Sequence, residues 1–148
     1  MRNERGVTII ELLLVLASMT MGVGLASAPA GSLVATLRAK GAAADLYGAV
    51  HLVRARARAA GVMHALVIEP DGRGFRVVED PAGVARTVSG PHALPEGVVA
   101  TSNTTIRFSP KGFAVPFGTI TVRADDEVRR VIVNIVGRVR VAVGPPAP

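Results

Sequence analysis

Hydrophobic positions are unevenly distributed along the chain, and their densest run lies near the N-terminus. Of the 22 residues from 7 to 28, only Glu11 is charged, and Arg2 and Arg5 precede the run. As an α-helix this run is about 33 Å long, close to the roughly 30 Å hydrocarbon core of a bilayer. The pattern therefore predicts the transmembrane half of an N-terminal helix over residues 7–28, with both arginines on the cytoplasmic side.

Beyond Pro29 the apolar positions follow a helical period. Spacings of three and four predict one stripe that packs on a globular domain: Leu33, Leu37, Ala44, Tyr47 (or Gly48) and Val50. This is the amphipathic half of the helix, over residues 29–61, with a kink at Pro29 and Gly61 as the C-cap. The arginines of its last turns have two interpretations, solvated side chains, which is favoured, or contacts with phosphate or lipid: Arg54, Arg56 and Arg58.

From residue 62 the pattern changes to short β-rich runs between turns. The predicted strands cover residues 62–68, 75–79, 104–109, 118–123, 129–134 and 138–143, with an edge strand at residues 84–88. The turn Pro70-Asp71-Gly72-Arg73-Gly74 predicts a hairpin between the first two strands. Residues 62–143 thus form a β-rich globular domain, and residues 144–148 a disordered tail. The predicted fold class is α+β, with a long helix packed on small antiparallel β-sheets.

The amino-acid composition limits the kinds of catalytic and metal-binding site that the chain can have. The chain has no cysteine, which excludes disulfides, thiolate metal sites and cysteine nucleophiles. His51, His64 and His92 show no metal-ligand spacing, and Asp125-Asp126-Glu127 is interpreted as a hairpin turn because it lacks the calcium-loop order of acidic residues and glycine. The net charge of +6 permits contact with phosphates or an anionic membrane but requires neither. We therefore predict a protein that is not an enzyme, with no metal and no cofactor.

Glu11 is costly inside an apolar run, and three interpretations of the run compete. A secretory signal peptide would be cleaved near Ala26-Ser27-Ala28, and a plain membrane anchor gives the glutamate no role. The third rests on Arg5-Gly6-Val7-Thr8-Ile9-Ile10-Glu11-Leu12-Leu13, which resembles the class III signal of type IV pilins and type II secretion pseudopilins.

The resemblance to that signal implies that residues 1–6 are a leader peptide. A prepilin peptidase would cut after Gly6, and the new N-terminal Val7 would be methylated. Val7 departs from the phenylalanine that the family usually has there. Glu11 would pair with the freed α-amino group of a neighbouring subunit when helices bundle into a filament, and desolvation strengthens such a pair.

Two C-terminal motifs resemble a narrower group, the GspH/FimT family of minor pseudopilins and minor pilins. The first is Ile106-Arg107-Phe108-Ser109-Pro110-Lys111-Gly112, and the second is Gly137-Arg138-Val139-Arg140. The order of these motifs behind the leader implies the pilin fold, in which a long helix lies against two small antiparallel sheets. Residues 69–100 carry no mark of this family.

Arg138 and Arg140 have two interpretations. On a strand both point the same way, which predicts outward guanidiniums and inward Val139, Val141 and Val143. Either the arginines pair with the acidic residues 125–127 on a nearby strand, which is the slightly favoured interpretation, or they bind DNA phosphates bidentately. The second interpretation rests on the family resemblance, because some members on the pilus side capture DNA and the equivalent segment is implicated.

The expected function is therefore structural. The leading interpretation is a minor pseudopilin or pilin of a type II secretion system or type IV pilus, which assembles into a periplasmic filament for protein export. The alternatives are a DNA-binding minor pilin for natural transformation and a membrane-anchored periplasmic domain that never polymerises. Expected partners are a prepilin peptidase, other pilin or pseudopilin subunits, inner-membrane lipid, and either exported cargo or DNA. The expected location is a single pass through the inner membrane, with the C-terminal domain in the periplasm.

Overall fold

The computed structural model describes residues 8–26, 30–80 and 85–144. The predicted leader, the cleavage pair Gly6 and Val7, the kink at Pro29 and residues 145–148 of the predicted tail lie outside these ranges. The chain divides into two compact units, Met1–Val34 and Ala35–Pro148. We refer to the second as the globular unit.

Helix α1 spans Ile9–Ala26 and begins after Thr8. The amide of Leu12 donates to the Thr8 carbonyl over 3.2 Å, which closes the first helical turn. Among the described residues, no helix combines the length and the apolar character needed to cross a bilayer. The transmembrane half of the helix therefore stays a prediction.

Helix α2 spans Ala30–Ala60. Gly61 ends it with a left-handed φ of 70°, and its amide donates to the Ala57 carbonyl over 3.1 Å. This is the geometry that glycine adopts at low cost at a helix C-terminus.

The buried face of α2 is not the stripe predicted from the apolar spacing. Leu33, Leu37 and Tyr47 are exposed, as are Ala44 and Gly48, and of the predicted set only Val50 is buried. The buried residues of the helix are mostly alanines: Ala35, Ala39, Ala42, Ala43, Leu46, Ala49, Val50, Val53 and Ala57. Small side chains let a helix lie close to the layer beneath it, so this face leaves no room for the larger side chains of the predicted stripe.

Eight strands form two four-stranded antiparallel sheets. The first sheet has the order β3-β2-β1-β5 and the second the order β4-β6-β7-β8. The strands are β1 His64–Ile68, β2 Gly74–Glu79, β3 Arg86–Ala93, β4 Val98–Ser102, β5 Ile106–Phe108, β6 Gly118–Ala124, β7 Glu127–Val133 and β8 Val139–Val143. Helices with antiparallel sheets confirm the α+β class.

The predicted hairpin joins β1 and β2, with Ile68 opposite Phe75. Two elements differ from the prediction. The edge strand β3 lies further along the chain than residues 84–88 and reaches Ala93, and β4 was missed altogether. β4 alternates buried and exposed residues, with Val98 and Ala100 inside, but it is only five residues long. Short strands of this kind give a weak period-two signal.

One hydrophobic cluster joins α2 to both sheets within the globular unit. It includes Leu46 and Val53 from the helix, Val77 and Phe108 from the first sheet, and Val131 from the second. Apolar burial in this shared core fixes where the connecting turns emerge. Two of these turns carry the glycines of the C-terminal motifs: the turn at residues 109–112 after β5 and the turn at residues 134–137 between β7 and β8.

Candidate functional site

Glu11 lies in the first turn of α1. Its backbone amide donates to the Thr8 carbonyl over 3.1 Å and lies 3.3 Å from the Thr8 hydroxyl oxygen. Thr8 is therefore the N-cap, and Thr8-Ile9-Ile10-Glu11 has the spacing of a capping box, a signal that sequence reasoning missed. A carboxylate here also interacts favourably with the positive end of the helix dipole.

The side chains around Glu11 are apolar on every side of the helix. Residues Ile9, Ile10, Leu12, Leu13, Leu14, Val15 and Leu16 are all at least half exposed. A helix that is hydrophobic all round needs an apolar environment, either lipid or other helices. Glu11 is the one charged residue of α1. The described part of α1 thus presents a single carboxylate among exposed apolar side chains.

A second group of residues meets at the C-terminal end of α2. Arg54 Nε donates to the Gly112 carbonyl over 3.0 Å, and Arg54 Nη2 donates to the Val136 carbonyl over 3.2 Å. One side chain therefore ties the helix to the turn at residues 109–112 and to the turn at residues 134–137. Interpreting Arg54 as a solvated end of the helix is wrong, because its guanidinium satisfies two backbone acceptors far away in the sequence.

The two glycines of the C-terminal motifs are held against this guanidinium. Gly137 has a φ of 74°, and a Cβ atom on it would lie 2.7 Å from the Gly112 carbonyl oxygen and 2.9 Å from Arg54 Nε. Gly112 has a φ of 84°, and a Cβ atom there would lie 3.1 Å from Arg58 Cδ. The structure thus brings both motifs together around Arg54, which explains in packing terms why each turn carries glycine.

Arg138 and Arg140 are both exposed, and both line one open cavity of about 420 Å³ with Ile132, Asn134 and Val139. Among the described residues neither guanidinium forms an ion pair. The Arg138 amide donates to Asn134 Oδ1 over 2.8 Å, which fixes the start of β8. Both side chains are therefore available to an external anion.

The pairing of these arginines with residues 125–127 is wrong. Arg140 lies opposite Ile132 in β7, whereas Glu127 begins β7 five residues away. At about 3.4 Å per residue the separation along the strand is roughly 17 Å. Glu127 instead pairs with Arg129, with Arg129 Nη2 3.1 Å from Glu127 Oε1. Asp125 and Asp126 form the tight turn that was predicted, at the other end of the β6–β7 hairpin.

The expected burial of the β8 valines is only partly correct. Val139 packs against the core, but Val141 is 44% and Val143 65% exposed. β8 is an edge strand of the second sheet, and Val141 faces an open cleft with Tyr47 and Ala43 of α2. The strand therefore extends past the layer that would cover its apolar side chains.

Chemistry of the catalytic or metal-binding kind has little support in the described residues. No group of three histidine, cysteine or carboxylate side chains there is placed to hold a metal ion. Ser89 Oγ lies 3.0 Å from His92 Nε2 on the edge strand β3, a pair that sequence reasoning missed. The described contacts of His92 are with Ser89 and the Phe75 ring, so no carboxylate among them orients the imidazole as a catalytic triad requires.

Comparison with protein families matches residues 42–137 to the family described as type II transport protein GspH. No curated protein matches the sequence of the chain. The fold is similar to the minor pseudopilin EpsH from the type 2 secretion system of Vibrio cholerae. The TM-score is 0.60 with 18% sequence identity, and the match covers 72% of this chain and 97% of that one.

The fold is also similar to the type IV minor pilin FimU of Pseudomonas aeruginosa. That match has a TM-score of 0.57 and 18% identity, and covers 72% of this chain and 87% of that one. At such identities the similarity shows the fold alone. It is the helix-plus-two-sheets arrangement of pilin-like proteins, built here around the shared core of α2, the first sheet and the second sheet.

Proposed function

This chain belongs to the GspH family of type II transport proteins, and from that membership we propose that it is a minor subunit that assembles into a filament. The filament is the periplasmic pseudopilus of a type II secretion system, where it serves protein export, or the related type IV pilus. The observation that carries the proposal is α1, an all-round apolar helix with Glu11 as its single charge in the first turn.

The proposed mechanism begins at the membrane. A prepilin peptidase cuts between Gly6 and Val7, Val7 is methylated, and residues 7–28 hold the chain in the inner membrane with the globular unit in the periplasm. The exposed leucine, isoleucine and valine side chains of α1 then find their apolar surroundings first in lipid and later among the helices of neighbouring subunits.

Glu11 sets the position of each incoming subunit in this mechanism. In a helix bundle without water, a carboxylate left without a partner is strongly unfavourable, whereas one paired with the α-amino group of a neighbour is stabilised. Only one axial position of the new helix satisfies the charge. Glu11 thereby selects the correct register against every shifted one.

We expect Glu11→Ala to reduce incorporation into filaments by about tenfold or more. The change leaves the α-amino group of the neighbouring subunit without its partner, and the cost of such an unpaired buried charge is well above the about 1.4 kcal/mol that corresponds to a tenfold change. The measurement is the amount of the full chain in sheared filaments relative to the amount in membranes. Glu96→Ala is the matched control, since Glu96 is an exposed carboxylate of the globular unit. Equal incorporation of the Glu11→Ala and wild-type chains would instead favour the membrane-anchored domain that never polymerises.

DNA binding is a second candidate function, favoured by one observation. Arg138 and Arg140 line one open cavity and have no carboxylate partner among the described residues. Guanidinium groups in this state suit phosphate oxygens. A minor pilin with this surface would retain DNA during natural transformation.

Purified full chain should bind duplex DNA more weakly after Arg138→Ala/Arg140→Ala, if this second function holds. Losing two phosphate contacts should reduce the slope of log K against log salt concentration by about 1.4–1.8. Arg73→Ala/Arg86→Ala removes the same charge from the β1–β2 turn and from β3 and should change the slope far less. Identical slopes for the two double variants would refute a specific role for Arg138 and Arg140.

A further inference from the structure

An exposed apolar surface lies on two loops beside the arginine pair. Its members are each between 45% and 57% exposed: Phe113, Val115, Phe117, Ile135 and Val136. We call this surface the loop patch. Two of the four phenylalanines of the chain belong to it, while the other two, Phe75 and Phe108, are buried. Large apolar side chains grouped on the surface of a folded domain mark an interaction site more often than single exposed ones do.

The two loops that carry the patch are joined by hydrogen bonds. The Ala114 amide donates to the Ile135 carbonyl of the other loop over 3.0 Å, and the Val115 amide ties its own loop to β5 by donating to the Arg107 carbonyl over 2.8 Å. Ala114 is fully buried between the exposed Phe113 and Val115, which fixes the direction of both neighbours. Arg54 adds its bonds to Gly112 and Val136. The loop patch is therefore a preorganised surface, and binding to it requires little further ordering.

Three exposed basic side chains lie at the turns beside the loop patch. Arg58, Lys111 and Arg138 are exposed on or against the turns at residues 109–112 and 134–137. A partner that covers the apolar centre must bring carboxylates to its rim, because like charges placed opposite these cations would be unfavourable.

We propose that the loop patch is the docking surface for the globular domain of a neighbouring filament subunit, which presents apolar side chains surrounded by carboxylates. This inference rests on the proposed filament function and adds to it a second contact outside the helix bundle. Aromatic anchors in an apolar centre with a charged rim are the usual anatomy of a protein–protein interface. The aliphatic Val115, Ile135 and Val136 favour a protein over nucleic acid, whose bases stack on aromatic rings.

The first test is incorporation of the Phe113→Ser/Phe117→Ser full chain into sheared filaments. We expect about a tenfold loss, the size that truncating central aromatic anchors produces. Lys111→Glu/Arg138→Glu should give a comparable loss by reversing the rim. Val99→Ser/Val143→Ser, which removes exposed apolar side chains from β4 and β8, is the control and should incorporate like wild type. Membrane levels and thermal unfolding of each variant show that the chain is made and folded.

The Glu11→Ala chain separates this inference from the filament function. If Glu11→Ala abolishes incorporation and the patch variants do not, the filament function stands and the docking surface is refuted. If neither change matters, both are refuted. A photoreactive benzophenone residue in place of Phe117 gives the second readout. Crosslinks identified by mass spectrometry as another subunit of the same filament support the inference, whereas crosslinks only to DNA or to a second copy of this chain overturn it.

Discussion

Truncating Phe108 to alanine should lower the free energy of unfolding of the globular unit by about 3–5 kcal/mol, the usual cost of removing a buried aromatic ring. Phe108 is 0% exposed and is the largest of the fully buried side chains. It ends β5, opposite His64 of β1 and bridged to Ala114. Its removal would leave a cavity where the first sheet meets the loops of the patch. Urea unfolding of the purified full chain, followed by circular dichroism, measures the effect.

Phe113→Ala is the matched control for this prediction. The same ring is removed five residues along the chain, but Phe113 is 46% exposed, so a loss below about 1 kcal/mol is expected. If the two variants unfolded at the same urea concentration, the core would not be organised around Phe108. The pair also distinguishes the two uses of phenylalanine in the chain, one for stability and one for the surface.

Gly137→Ala should destabilise the globular unit by about 2–4 kcal/mol, from the strain of a left-handed residue and the loss of charged hydrogen bonds. The new methyl group would lie 2.7 Å from the Gly112 carbonyl oxygen and 2.9 Å from Arg54 Nε. Both the turn and the guanidinium must shift, which breaks the contacts of Arg54 with Gly112 and Val136. The same urea titration detects the loss.

Gly61→Ala isolates the backbone part of that loss. Gly61 has a φ of 70°, close to the 74° of Gly137, but a Cβ atom there would meet nothing within 4 Å. It should cost only about 1–2 kcal/mol of strain. Equal losses at the two glycines would show that the approach of Arg54 to the turn at residues 134–137 contributes nothing to stability.

The elements that could be predicted from sequence are those with strong local signals. The hairpin between β1 and β2 follows from Pro70-Asp71-Gly72-Arg73-Gly74, and the end of α2 follows from Gly61. The long strands β6 and β7 are joined by the tight turn at Asp125 and Asp126, and β6 alternates clearly. In each case a few neighbouring residues contain the whole signal, so one sequence is enough to identify them.

The buried face of α2 could not be found this way because the prediction looked for large apolar side chains. The helix buries alanines such as Ala39, Ala42 and Ala57, a residue type that favours helix on any face and so marks none. Leu37 and Tyr47 gave the stronger apolar signal and lie outside the core. Which face is buried depends on the distance between helix and sheets, a tertiary quantity that periodicity does not contain.

In the candidate sites, too, some features follow from local sequence signals and others depend on long-range contacts. Arg138 and Arg140 are exposed as predicted, although Arg138 precedes β8 and the strand does not alternate regularly; the distance from Arg140 to residues 125–127 depends on the β7–β8 register. The role of Arg54 depends on two turns 58 and 82 residues away in the sequence. The one local signal for the loop patch was the run Phe113-Ala114-Val115-Pro116-Phe117, which is apolar although it lies in a loop. Local sequence patterns do not reveal long-range contacts of this kind.

The alanine face of α2 has a mechanical consequence. Ala35, Ala39, Ala42 and Ala43 present a nearly smooth surface to the sheets, so they set the distance of the helix without resisting rotation or sliding. Resistance comes from the few larger buried side chains, Leu46, Val50 and Val53, together with the bonds of Arg54. Torque or tension applied along the helix is therefore borne over a short length near its C-terminal end. The contacts of this short segment therefore hold the sheets and α2 together.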